Sequence, residues 1–141
     1  MNTTDTIQDN EKRVALEQVL TSATFVRATQ VRNFLRYICE MELRGLGHTL
    51  HEYLIGVEAL GRPTAYSTDE DSSVRRRAYA LRRKLDEVYA HELANASVRI
   101  VVPKGSYVPF FVFNEAREVA RDSYRVSIPP AANRRAGLSA A

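Results

Sequence analysis

Two neighbouring stretches decide the fold: Val74-Arg75-Arg76-Arg77-Ala78-Tyr79-Ala80-Leu81-Arg82-Arg83-Lys84-Leu85, and then Val98-Arg99-Ile100-Val101-Val102-Pro103-Lys104-Gly105-Ser106-Tyr107. In the first, Val74, Ala78, Leu81, Leu85 and Val88 recur at alternating steps of four and three, the period of one helix face. The spacing predicts a helix over 73–93, with Asp71, Ser72 or Ser73 as its cap and Leu93 extending the stripe. In the second, the period drops to two: Val98, Ile100 and Val102 alternate with Arg99 and Val101, which predicts a strand. Pro103 and Gly105 predict a type I turn with proline in second place, and Tyr107 to Phe113 a returning strand with Pro109 at a sheet edge.

Upstream the chain reads as helix. Residues 12–20 carry Val14, Leu16, Val19 and Leu20 as apolar contacts. Over 29–44, Val31, Phe34, Leu35, Ile38 and Met41 share an arc with Cys39 at its rim, while Arg32, Arg36 and Glu40 lie opposite. A third helix is expected from Thr49 to Leu60, burying Leu50, Leu54, Val57 and Leu60, with Thr49 and Glu52 as a capping box. Gly61-Arg62-Pro63 ends it, since proline cannot continue the ladder. The fold class expected is therefore mainly α with a small β-hairpin: a winged helix-turn-helix with extra N-terminal helices. Residues 1–11 read as a flexible N-terminus, 12–113 as the domain, and 114–141 as a largely disordered C-terminal extension. Within that extension, 114–127 has room for one short helix or strand.

Placing successive residues about 100° apart turns Arg76, Tyr79, Ala80 and Arg83 directly away from the apolar stripe. Arg75 and Arg82 flank them on one side, Arg77 and Lys84 on the other. Between Val74 and Leu85 there are six bases and no acid. A solvated helix usually mixes signs to gain pairs one turn apart, so this pattern asks for an external anion. The whole chain is only +3, yet residues 74–104 carry eight bases against three acids, while residues 1–73 are net acidic. Clustered basic charge on an ordinary background is the footprint of a polyanion site. Of the 20 bases 17 are arginine, whose planar fork suits phosphates and guanine edges.

Leu81-Arg82-Arg83-Lys84-Leu85, a strand, and then Lys104-Gly105-Ser106-Tyr107 resemble the third helix and wing of OmpR-type winged-helix DNA-binding domains, over roughly residues 50–113. That family begins with a small β-sheet, where residues 12–44 here read as helix. The longer pattern is also similar to a bacterial module at the N-termini of signalling and regulatory proteins. It is marked by Phe34-Leu35-Arg36-Tyr37, Glu52-Tyr53-Leu54-Ile55-Gly56, Gly61-Arg62-Pro63 and Val102-Pro103-Lys104-Gly105-Ser106-Tyr107-Val108-Pro109. The resemblance implies a DNA-binding transcriptional regulator. By position, Arg75, Arg76, Arg77, Tyr79 and Ala80 would face the major groove. Arg82, Arg83 and Lys104 would touch phosphates, with Lys84 beside them. The partners expected are double-stranded DNA and, beyond it, a second copy or a signalling protein.

The alternative is a protein–protein interaction module of bacterial signalling, in which the same helix docks an acidic partner. No enzyme is expected. His48, His51 and Glu52 lack a third ligand at useful spacing, Cys39 reads as a core residue, and Asp69-Glu70-Asp71 reads as helix capping. Gly45-Leu46-Gly47 follows a helix rather than a strand and so makes no dinucleotide fingerprint. No cofactor or metal is expected. A single cysteine, the lack of a long apolar run and an N-terminus unlike a signal peptide lead to the expectation of a cytoplasmic protein without membrane contact.

Overall fold

The stripe from Val74 is buried along its length: Val74, Ala78, Leu81, Leu85 and Val88 all lie in the core, joined by Tyr89. The helix that carries it, α4 (Ser73–Ala90), is the fourth in the chain. Before it come α1 (Asp9–Leu20), α2 (Thr29–Leu43), a single 3-10 turn at Gly47–Thr49, and α3 (Glu52–Glu58). After it come β1 (Val98–Val101) and β2 (Phe110–Phe113), paired antiparallel with Val98 opposite Phe113 and Val101 opposite Phe110. This computed structural model describes residues 6–114, so the expectations for residues 1–5, 115–127 and the 129–141 tail lie outside the described residues. Within them the protein is mainly helical with one two-stranded hairpin.

The core forms where α2 packs on α4, with α3 against both, α1 against α2 and β1, and β1 against α4. Phe34, Leu35, Ile38 and Cys39 from α2 share one buried cluster with Val74, Leu81 and Val88 from α4, Ile55 from α3 and Ile100 from β1. Phe25, in the link between α1 and α2, is also fully buried. That link is fastened to the far end of α4. The Glu92 carboxylate accepts from the Thr24 hydroxyl at 2.7 Å and from the Thr24 and Ala23 amides at 2.9 and 3.0 Å. These donors hold the Glu92 carboxyl below its ordinary range, the Thr24 hydroxyl foremost. Asn114 closes the base of the hairpin. Its amide Nδ2 donates to the carbonyls of Ala94 and Ala96, and its backbone N–H donates to Ser97.

Several local expectations are corrected. Helix α1 starts at Asp9 rather than residue 12, because the Glu11 carboxylate turns back to accept from the Gln8 N–H at 2.8 Å, one half of a capping box. Val14, expected inside, is 50% exposed, and Ala15 is buried in its place. Helix α3 starts at Glu52, not Thr49, and it buries Ile55 and Gly56 rather than a Leu50–Leu54–Val57 stripe. The expected capping box does not form. The Thr49 hydroxyl donates to the Leu46 carbonyl, and the Glu52 carboxylate accepts from Arg75. The hairpin turn is shifted by one residue: the Ser106 N–H donates to the Pro103 carbonyl, placing Pro103 first and Gly105 third. Gly105 has φ +81°, the value the third position of a type II turn requires. The returning strand begins at Phe110 instead of Tyr107, so an eight-residue loop joins the strands.

Candidate nucleic-acid interface

Helix α4 exists because its stripe is buried and its start is capped. The Asp71 carboxylate accepts the Ser73 N–H at 2.8 Å and pairs with Arg62. The Ser73 amide, with Arg62 beside it, keeps the Asp71 carboxyl below its ordinary range. Of the three acids before α4, Asp71 is the one that sets its start.

The nine residues singled out by sequence fall into distinct groups. Three basic residues are tied to the protein's own chain. Arg75 bonds Glu52 at the start of α3 and the Thr68 carbonyl in the segment between α3 and α4. Arg82 spends its guanidinium on the 102–109 loop: Nε donates to Val102 at 3.0 Å, and Nη2 donates to Pro103 and Ser106 at 3.1 Å each. Lys84 reaches the Thr24 carbonyl in the α1–α2 link. These three brace α4 against the elements on either side of it.

The outward face is different. Tyr79 is 61% exposed, and the Arg83 guanidinium lies over its ring at 5.8 Å from the centroid. One turn earlier, Arg76 donates to the Ser72 hydroxyl. Arg76, Tyr79 and Arg83 therefore line one row spanning roughly 10 Å of helix at 1.5 Å per residue. Arg77 is exposed beside this row and Lys104 is exposed at the loop tip, neither with a carboxylate partner among the described residues. Ala80 is only half exposed and packs on the core edge, leaving a shallow place beside Tyr79. Farther along the same face stand two acids, Asp86 and Glu87, so the row changes sign after Arg83.

Tyr107 is placed inward. Its ring centroid lies 6.1 Å from that of Phe34, so it supports the hairpin loop from inside rather than presenting its ring outward. Sequence reasoning counted Arg99 as a base but did not place it in the site. In the structure it flanks the cleft between α4 and β1, with its guanidinium 4.9 Å from the Tyr89 ring centroid. The signal was available: in β1 it is the charged residue between two buried ones.

Glu52 pairs with Arg75, His51 Nδ1 lies 2.9 Å from the Thr49 carbonyl, and Cys39 is buried with its thiol pushed well above the ordinary range by burial. No described helix is long and apolar enough to cross a membrane. Comparison with family models, curated proteins and solved structures returns no match to the chain.

Proposed function

We propose that this chain is a winged-helix module that binds double-stranded DNA, with α4 in the major groove and the 102–109 loop as its wing, and that it serves a bacterial, cytoplasmic transcriptional regulator. The observation that carries the reading is the outward row Arg76–Tyr79–Arg83, free of any acid and flanked by exposed Arg77, on a helix braced by Arg75, Arg82 and Lys84. A helix offers base edges the residues on its solvent face, while its flanks set the approach. Here the flanks are fixed by Arg75, Arg82 and Lys84, so the row is held at a set distance from the loop that carries Lys104. Arginine can bond guanine O6 and N7 through two donors at once.

The test is binding of a labelled duplex across a chloride series. The expected log–log slope is about −0.9 for each phosphate neutralised. No binding, or binding indifferent to salt, overturns the reading.

A second reading has its own observation. On the outer face of the hairpin, Phe110 is 53% exposed and Val112 40% exposed, beside Val101. Adjacent exposed apolar residues favour contact with another protein. That surface is separate from the α4 row, so Phe110→Ser tests it without touching the basic face. Unchanged duplex affinity combined with loss of a protein contact would assign it.

A further inference from the structure

Between α4 and β1 lies an open cleft of about 240 Å³. Leu85 and Val102 lie along it, and four charged residues stand at it: Arg82, Asp86, Arg99 and Lys104. Arg82 is committed to the loop carbonyls, so it lends positive charge but few donors. Arg99 is the opposite case. Its guanidinium is laid on the Tyr89 ring, and the Tyr89 hydroxyl in turn accepts the Ile100 N–H at 3.0 Å, so both are held in place. Yet Arg99 Nε is shut off from solvent and has no acceptor. A shielded donor on a charged group without a partner is costly, and such groups are rare in folded proteins.

We infer that this cleft seats one backbone phosphate of the duplex, with Arg99 as its main ligand, Lys104 closing over it from the loop tip, and Asp86 opposing it from α4. The inference rests on the DNA reading above. The placement is geometrically consistent with it: the cleft borders the side of α4 on which Tyr79 lies, where the strand edging a groove about 12 Å wide would run. A phosphodiester supplies two acceptor oxygens to a guanidinium already oriented by stacking, so little side-chain freedom is lost on binding. Asp86 limits affinity because its carboxylate shares the cleft with the phosphate.

The experiment is duplex binding by anisotropy across a chloride series, using the full chain and the variants Arg99→Gln and Asp86→Asn. Arg99→Gln is expected to weaken binding about three- to tenfold and to reduce the salt slope by about 0.9. Asp86→Asn is expected to tighten binding about two- to fivefold, as removal of one exposed like charge does. If the wild type binds and both variants match it in affinity and slope, the cleft holds no phosphate, while the row on α4 keeps its assignment. If the wild type binds no duplex, both proposals fall together. Should thermal melting show that Arg99→Gln does not fold, Asp86→Asn decides: tighter binding supports the cleft and unchanged binding overturns it.

Discussion

Arg82 Nε donates to the carbonyl of Val102 at 3.0 Å, so the helix that carries the basic row also holds the first residue of the hairpin loop. The same guanidinium takes two further carbonyls, Pro103 and Ser106, on either side of the turn. Arg82→Ala is expected to lower stability by about 1.5–3 kcal/mol, the range for hydrogen bonds to a charged group. Arg82→Lys should restore little of it, since an ammonium cannot fork across carbonyls set for a plane. Urea unfolding measures the first effect. Faster amide exchange at Ser106 in both variants checks the second.

Leu81 is fully buried where α4 meets the rest of the core. Leu81→Ala should cost about 2–5 kcal/mol through lost transfer energy and the cavity left behind. A domain of this kind holds only about 5–15 kcal/mol in all, so a clear drop in the urea midpoint is expected. An unchanged midpoint would contradict the packing.

Gly56 faces the ring of Tyr66, and a methyl group there would lie 2.6 Å from a ring carbon. Tyr66 has nowhere easy to go, because it is stacked on Tyr53 with centroids 5.9 Å apart. Alanine in a helix ordinarily gains about 1 kcal/mol over glycine. Overpacking costs about 1–3 kcal/mol, so Gly56→Ala should be destabilising on balance. A raised melting temperature would show that the two rings yield.

Acid should loosen the link between α1 and α2. Glu92 is held below its ordinary carboxylate range by Thr24 and Ala23, so in the folded state it keeps its charge to lower pH than in the unfolded one. Its contribution is complete above the unfolded value, about 4.3, and is lost as pH falls through the lower folded value. Glu92→Gln should therefore flatten the acid limb of a stability–pH curve and change little between two points near neutrality. Urea midpoints at pH 3 and pH 5 for both proteins make the comparison. Parallel curves would assign the acid sensitivity elsewhere.

Specificity and affinity should separate between α4 and the loop. Arg76 lies in the outward row near the start of the helix, and Lys104 at the loop tip. Arg76→Ala is expected to lose about 1–3 kcal/mol on the preferred sequence and less on random duplex. Lys104→Ala should weaken both equally and reduce the salt slope by about one unit. Equal losses for both variants on both duplexes would mean that the helix reads no bases.

Much of this architecture is written in local periodicity. Val74, Ala78, Leu81 and Leu85 specify a buried face with few alternatives, and the change of period after Asn95 marks the hairpin. What local pattern cannot carry is the destination of a long polar side chain. Arg82 and Arg83 are neighbours of the same type. One turns into three carbonyls some twenty residues downstream while the other lies over Tyr79, and only the position of the loop separates their roles. Thr49 and Glu52 show the same limit. Their spacing suits a capping box, but nearer acceptors and a distant arginine claim both groups. Phe25 was invisible for another reason: it lies in a linking segment, where no period announces that it is buried.

The order of charges along α4 has a further consequence. Arg75, Arg76 and Arg77 stand at the end where the peptide dipoles sum to a positive pole, and Asp86 and Glu87 stand toward the negative one. That is the reverse of the arrangement which steadies a helix, where each such charge is worth about 0.3–1 kcal/mol. Asp71 at the cap and Glu52 on Arg75 offset only part of this, so α4 remains under electrostatic tension whenever no anion lies across it. Any polyanion that settles there is then a folding agent as well as a ligand. By mass action the melting temperature should climb with its concentration. Chloride alone, by screening the mismatch, should lift the melting temperature of the unbound chain even as it drives DNA away.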